Sequence, residues 1–255
     1  MQPSQIPFIA LILFAGAAIQ GAVGFSYALF ATPLLVWLGV PLTHCIVLVG
    51  VSSLVQSLTG SRRLRADVPW KEVFRSIVVR WSTLLVGLLV LRRLVGLPLP
   101  AIRLFLGIVI CLLVGMQMSL SSLKPVPRLH WGWNVLAAGC SGFFAGLVGM
   151  GGPPLVLYAL AHDWSPARTK GYLFSIFMLT IPVQLVLMFA AFGGGILMAA
   201  VLGAVLATLT FTGCIFGMRL SAAMSKPMLR RLAYGLLLLI GVNSIVQPVL
   251  FYLQT

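Results

Sequence analysis

Five long stretches of the sequence contain no Asp, Glu, Lys or Arg. They cover residues 8–61, 104–123, 129–162, 171–218 and 232–255. A helix that spans a membrane needs about 20 predominantly apolar residues. Turn residues divide the two longest stretches, at Gly39–Pro41 and at Gly193–Gly195. The pattern therefore predicts ordinary spanning helices at residues 42–60, 74–91, 102–120, 168–191, 197–218 and 231–252.

Two apolar segments do not fit this scheme, residues 8–40 and 132–161. At 1.5 Å per residue, each is too long for one plain helix and too short for two full crossings. Glycines interrupt the first segment between Gly16 and Gly24, and the second segment between Gly139 and Gly152. Each segment is therefore either a kinked single span or a hairpin that enters the membrane and returns.

The positions of the basic residues favour the hairpin. Lys and Arg are retained in cytoplasmic loops. Eight single crossings would divide the loop cations almost evenly, seven against nine. Two hairpins, with both termini outside, put thirteen loop cations on the cytoplasmic side and three on the outer side. Only Arg92, Arg93 and Arg103 then face outward. The cations then predicted to be cytoplasmic are Arg62, Arg63, Arg65, Lys71, Arg75, Lys124, Arg128, Arg168, Lys170, Arg219, Lys226, Arg230 and Arg231.

The two halves of the chain resemble each other. Three short matches occur in the same order, with Gly21–Gly24, Pro33–Val36 and Pro100–Arg103 corresponding to Gly146–Gly149, Pro154–Leu157 and Pro227–Arg230. We predict two transmembrane repeats, residues 1–125 and 126–255, each a Gly/Pro-broken hairpin plus three transmembrane helices. Three spans is an odd number, so the second repeat is inverted relative to the first. The predicted fold class is an all-α polytopic membrane protein with two inverted-topology repeats.

Composition excludes several classes of protein. The chain of 255 residues is 60% hydrophobic and 8% charged, unlike a soluble domain. Its net charge of +14 is distributed over short breaks between apolar runs, which disfavours nucleic-acid binding. The only acids, Asp67, Glu72 and Asp163, lie in or beside loops, so most acid–base enzymes and carboxylate-coupled carriers are disfavoured. The sequence contains no metal, cofactor or hydrolase motif, and we expect no enzyme and no cofactor.

The glycine-rich segments also carry a family resemblance. Gly149–Pro153, supported by Gly21–Gly24 and by the overall length, resembles the TauE/SafE family of sulfite and organosulfonate exporters. The resemblance implies a multi-pass transporter of the bacterial inner (cytoplasmic) membrane that moves small sulfur-containing anions. An importer of an organosulfonate or another small anion, and a non-transporting assembly subunit, remain as alternatives. The oligomeric state stays open, with a homodimer included.

Paired helix breaks are the best sequence indication of a transporter's substrate site. Helix N-termini and glycine backbone at such breaks can approach the oxygens of an anion closely. The alternative for the glycines is close helix packing, and for the polar side chains it is bonding between helices. Arg80 is either a site residue or a cation that snorkels to headgroups beside Trp81. The predicted substrate-binding residues are Gln20, Gly21, Gly24, Ser26, Thr32, Gln56, Arg80, Ser141, Gly146, Gly149, Gly151, Gly152 and Gln184. Ser52, Ser53 and Thr180 complete the predicted shell.

Overall fold

A computed structural model describes residues 3–23, 27–120, 129–222 and 226–254. Over these residues the chain is helical, without strands, apart from short turns. Six runs are long and apolar enough to cross a membrane, at residues 42–63, 70–94, 99–119, 131–148, 166–205 and 231–250. The helices are α1 Ile6–Val23, α2 Tyr27–Trp37, α3 Leu42–Arg63, α4 Trp70–Leu94, α5 Leu99–Leu120, α6 Trp131–Val148, α7 Gly152–Leu160, α8 Pro166–Phe192, α9 Leu197–Val205, α10 Ala207–Ala222 and α11 Lys226–Gln254.

Polar contacts place the beginnings of three helices at one end of the bundle. Ser76, near the start of α4, accepts a hydrogen bond from the Asn134 amide at the start of α6 (2.8 Å). The Ser76 hydroxyl also bonds the Tyr172 hydroxyl at the start of α8 (2.7 Å). Because α6 and α8 begin at the same level, the segment between them enters the bundle and returns. Arg62, Arg63, Arg65, Arg168 and Lys170 lie beside these helix ends, and we call this end of the molecule the basic end.

The first interrupted segment also folds back, at the opposite end. The Gln5 amide donates to the Leu38 carbonyl (2.8 Å), so the residues before α1 lie beside those after α2. Each interrupted segment pairs one helix of 18 residues with a shorter one, 11 residues in α2 and 9 in α7. This agrees with the prediction that 30 residues are too few for two complete crossings.

Two helix pairs pack unusually closely, and glycines make this possible. In the α4–α6 pair, Gly146 lies against the Leu84 carbonyl and Gly87 against the Phe143 carbonyl. In the α1–α10 pair, Gly21 lies against the Cys214 carbonyl and a glycine of α10, Gly217, against Ala18. A Cβ atom at any of these glycines would collide with backbone. These contacts are the small-residue packing that membrane helices use.

One predicted span differs from the structure. The expected single helix at 197–218 is interrupted at Leu206, between α9 and α10. The hydroxyls of Thr208 and Thr210 donate back to the carbonyls of Val205 and Ala207 on either side of this point (3.4 and 2.9 Å). Such back-bonding competes with the helix backbone and bends helices.

Arg103, one of the three cations predicted to face outward, has a structural role. Its guanidinium donates to the Trp37 carbonyl at the C-terminus of α2 (3.2 Å). A cation at the end of a helix is stabilised by the partial negative charge of the unpaired carbonyls there. Arg103 therefore caps α2 from α5, whatever the sidedness of its loop.

Candidate functional site

A cavity of about 90 Å³ lies between the two interrupted segments. A buried water needs only about 10–15 Å³ on this measure, so the cavity has room for a small polyatomic ion. Residues flanking both interruptions line it, and α3, α4 and α8 close its other sides. The lining includes Gln20, Tyr27, Ser53, Ser57, Arg80, Gly149, Gly151, Gly152, Phe177 and Gln184.

The interruption between α6 and α7 is built by three glycines. Gly149 ends α6 with a left-handed φ of 76°, a conformation that costs glycine little. At Gly151 a Cβ atom would collide with the Ser141 carbonyl oxygen and lie 2.9 Å from Nη2 of the Arg80 guanidinium. At Gly152, which begins α7, a Cβ atom would meet only Phe177, at 3.9 Å. Gly149 and Gly151 are thus required as glycine for different reasons, and Gly152 is not required by space.

Arg80 of α4 is the charged side chain of the cavity lining. Only 2% of its surface is exposed, so it points into the bundle and does not snorkel. Its Nε donates to Thr180 Oγ1 of α8 (2.9 Å), and Nη1 donates to Ser141 Oγ and to the Gly151 carbonyl. The ring of Phe177 lies 5.6 Å from the centre of the guanidinium. The cation is therefore held by α6, α8 and the glycine interruption together.

All of these partners are neutral. The sequence contains three carboxylate side chains, Asp67, Glu72 and Asp163, and none lines the cavity. Within the described residues, the ion pair found joins Glu72 to Arg75 near the start of α4. A buried charge without a counter-charge is costly, and buried charges in proteins are normally paired. Arg80 thus gives the cavity a net positive charge that the protein itself does not neutralise.

Two glutamines add neutral polar groups to the cavity. The Gln184 amide of α8 donates to the Ala145 carbonyl (2.8 Å), which leaves its second N–H unused by that bond. The buried Oε1 of Gln20, on α1, has no hydrogen-bond partner among the described residues. Ser53 and Ser57 also line the cavity, and their hydroxyls donate to carbonyls of their own helix, at Gly50 and Ser53. The polar groups that accompany Arg80 in the lining are therefore uncharged, and the rest of the lining, including Leu29, Val49 and Ile181, is apolar.

Several predicted site residues lie elsewhere. Gly21 and Gly146 are the packing glycines of the α1–α10 and α4–α6 pairs, as the alternative interpretation expected. Gln56 donates to the Thr210 carbonyl (3.2 Å), and Thr32 is fully buried in α2; neither lines the cavity. Gly24 and Ser26 fall outside the described residues.

The structure adds residues that the sequence did not single out. Phe177 lines the cavity and covers the guanidinium, yet one aromatic residue in an apolar helix gives no distinguishing signal. Ser57 could have been found, because it lies four residues after Ser53 and so on the same face of α3. The structure also assigns Thr180 a specific contact, as a hydrogen-bond acceptor for Arg80.

Comparison with known proteins gives a family. The sulfite exporter family TauE/SafE matches residues 8–244. A probable sulfite/organosulfonate exporter TauE from Cupriavidus necator is 26% identical over 245 residues, which is 93% of each chain. No solved structure gives a match. Members of this family are transporters rather than enzymes, in agreement with the apolar helices and with the expectation from the sequence. The chain is therefore a multi-pass membrane transporter that belongs to the TauE/SafE sulfite exporter family.

Proposed function

We propose that this transporter exports small sulfur-containing oxyanions, sulfite and organosulfonates, and that it binds them in the cavity beside Arg80. The observation that carries the proposal is the buried guanidinium without a carboxylate partner, in a cavity lined from both interruptions. An oxyanion supplies the missing negative charge and accepts hydrogen bonds from the remaining guanidinium N–H groups. Charge-assisted bonds of this kind are about twice as strong as neutral ones.

The glycine interruption has a second role in this proposal. Freed backbone groups inside a membrane must find partners or face a wet cavity. Arg80 and Ser141 both donate to the Gly151 carbonyl and so satisfy the interruption. The same contacts hold the guanidinium against Gly151. The anion would bind at the interruption, with Gly149, Gly151 and Gly152 leaving space for its oxygens.

Alternating access between two inverted repeats, residues 1–125 and 126–255, is the mechanism that we infer. The helix contacts support it, because they are preserved when the halves are exchanged. Packing of α1 on α10 corresponds to packing of α6 on α4, while α3 with α8 and α5 with α11 each pair a helix with its own counterpart. Opposite entry ends of the two interrupted segments fit the inversion. Inverted repeats rocking around a fixed central site are a common transporter design.

The basic end would face the cytoplasm. Arg62 and Arg63 end α3 there, Arg65 follows it, and Arg168 and Lys170 lie in the first turns of α8. Retention of such loops inside places both ends of the chain outside the bacterial inner membrane. An interior-negative potential then favours exit of an anion by about 2.3 kcal/mol per charge per 100 mV. We therefore propose export driven by the membrane potential, without a coupling carboxylate.

Flux through the purified protein in liposomes tests this function. We expect efflux of sulfite and of methanesulfonate above that of empty liposomes, and faster efflux when a potassium gradient makes the loaded compartment negative. Flux that favours entry at every imposed potential would support the importer. A well-folded protein that carries neither anion in either direction would contradict transport and favour an assembly subunit.

A further inference from the structure

We infer that the cavity selects anions with a single negative charge, sulfonates and hydrogensulfite, over the divalent anions sulfite and sulfate. The inference rests on the function proposed above and adds the charge state of the cargo. It follows from the number of formal charges in the cavity, which is one, on Arg80.

Electrostatics decides between the two charge states. The cost of removing an ion from water grows with the square of its charge, whereas its attraction to one cation grows only in proportion. A divalent anion therefore has about four times the desolvation cost and about twice the attraction of a monovalent anion. With a monovalent anion the site becomes neutral, while a divalent anion leaves one buried negative charge unpaired.

The hydrogen-bond donors of the site also favour an anion with a single negative charge. Nε and Nη1 of Arg80 are already used by Thr180, Ser141 and Gly151, and Nη2 is the guanidinium nitrogen without a protein acceptor among the described residues. The neutral side-chain amides of the lining belong to Gln20 and Gln184, and one N–H of Gln184 is already bonded to Ala145. Few side-chain N–H donors remain for the six or more lone pairs of a sulfur oxyanion. The site therefore suits an ion whose charge is low and whose oxygens are weakly basic.

Methanesulfonate and sulfate form a suitable pair of probes, because they have similar tetrahedral shapes and differ in charge. At one fixed pH near neutrality, each is added at increasing concentration to compete with radiolabelled methanesulfonate uptake into proteoliposomes. We expect half-inhibition by methanesulfonate at a concentration at least about tenfold lower than by sulfate. The free-energy cost of one unpaired buried charge is larger than the free energy that corresponds to a tenfold difference in binding. Equal inhibition by the two anions would overturn the inference while leaving the proposed function intact. Sulfite flux without methanesulfonate uptake would also overturn the inference alone, and flux of neither anion would overturn both.

A variant that adds charge provides a second, independent test. Gln20→Lys places another cation on the α1 side of the cavity lining, and Gln20→Met removes the amide without adding charge. We expect the lysine variant to narrow the preference for methanesulfonate over sulfate by about tenfold and the methionine variant to keep it. An unchanged preference in a lysine variant that elutes as a single folded species would argue against charge as the basis of selection. If the lysine variant does not fold, the competition on the wild-type protein still decides.

Discussion

The α1–α10 and α4–α6 helix pairs pack in the same way but differ in the charged side chains that they carry. Both bring backbones together through glycine, with Gly21 on one side and Gly146 on the other. Only the α4–α6 pair carries a charged residue in the middle of its length, Arg80; residues 6–23 of α1 and the first eleven residues of α10 have none. The glycines alone therefore mark helix packing. The cation and the interruption beside it distinguish the proposed site from helix packing.

We expect the largest effect, a loss of stability, from substitutions that disrupt the glycine packing that the two pairs share. Gly21→Leu and Gly146→Leu each push a side chain into a backbone carbonyl, and overpacking of this kind costs about 1–3 kcal/mol or more. We expect both variants to lose folded yield and melting temperature to a similar extent. Gly235→Leu is the matched control, since a Cβ atom at Gly235 meets nothing within 4 Å. A stable Gly21→Leu protein would mean that the two pairs are not equivalent in packing.

A smaller effect, a rise in the apparent KM, is expected when a hydrogen-bond partner of Arg80 is removed. Ser141→Ala removes a hydrogen-bond acceptor from Nη1 of Arg80, and bonds to charged groups contribute about 1.5–3 kcal/mol. Because Nη1 keeps the Gly151 carbonyl as a partner, we expect the lower value, about a tenfold rise in the apparent KM for methanesulfonate. Ser175→Ala is the control, because Ser175 is equally buried but bonds Ser61 (2.8 Å) away from the cavity lining. Equal KM values for the two variants would remove Ser141 from the site.

The smallest expected change in the apparent KM distinguishes the neighbouring glycines Gly151 and Gly152. A methyl group at Gly151 would collide with the Ser141 carbonyl oxygen and lie 2.9 Å from Arg80 Nη2, whereas Gly152 has space. Because the nearest atom belongs to the backbone, the interruption itself must shift, at a cost of about 1–3 kcal/mol. The guanidinium that is bonded to the Gly151 carbonyl shifts with it. We expect Gly151→Ala to raise the apparent KM about fivefold and Gly152→Ala to leave it unchanged, with both proteins eluting as folded species. The reverse order would show that Gly152, not Gly151, sets the position of the anion.

The sequence predicts most of the fold because the bilayer sets the length of each helix. Uncharged runs located the spans, glycine located the interruption at Gly149–Gly151, and the cation count favoured the returning segments that the contacts of Ser76 place at one end. The bend at Leu206 was missed, because threonine hydroxyls that bond back to the helix leave no break in hydropathy.

The site was harder to predict from sequence for two physical reasons. Packing and anion binding both require a missing Cβ atom, so the sequence could not separate Gly146, which packs on α4, from Gly151, which faces the cavity. Arg80 lies within three helical turns of the basic end, where a long side chain can reach either the headgroups or the interior. Its direction is decided by Ser141 and Thr180, which are distant in the sequence.

The most direct measurement is methanesulfonate flux in proteoliposomes containing Arg80→Gln, with Arg75→Gln as the matched control on the same helix. Arg75 is exposed and pairs with Glu72, and surface pairs contribute about 0–1 kcal/mol. Removing one partner of a buried, hydrogen-bonded charge pair costs about 2–5 kcal/mol. We predict at least about a thirtyfold loss of flux in Arg80→Gln at subsaturating anion and wild-type flux in Arg75→Gln. Wild-type flux in a folded Arg80→Gln protein would contradict the assignment of Arg80 as the anion-binding residue.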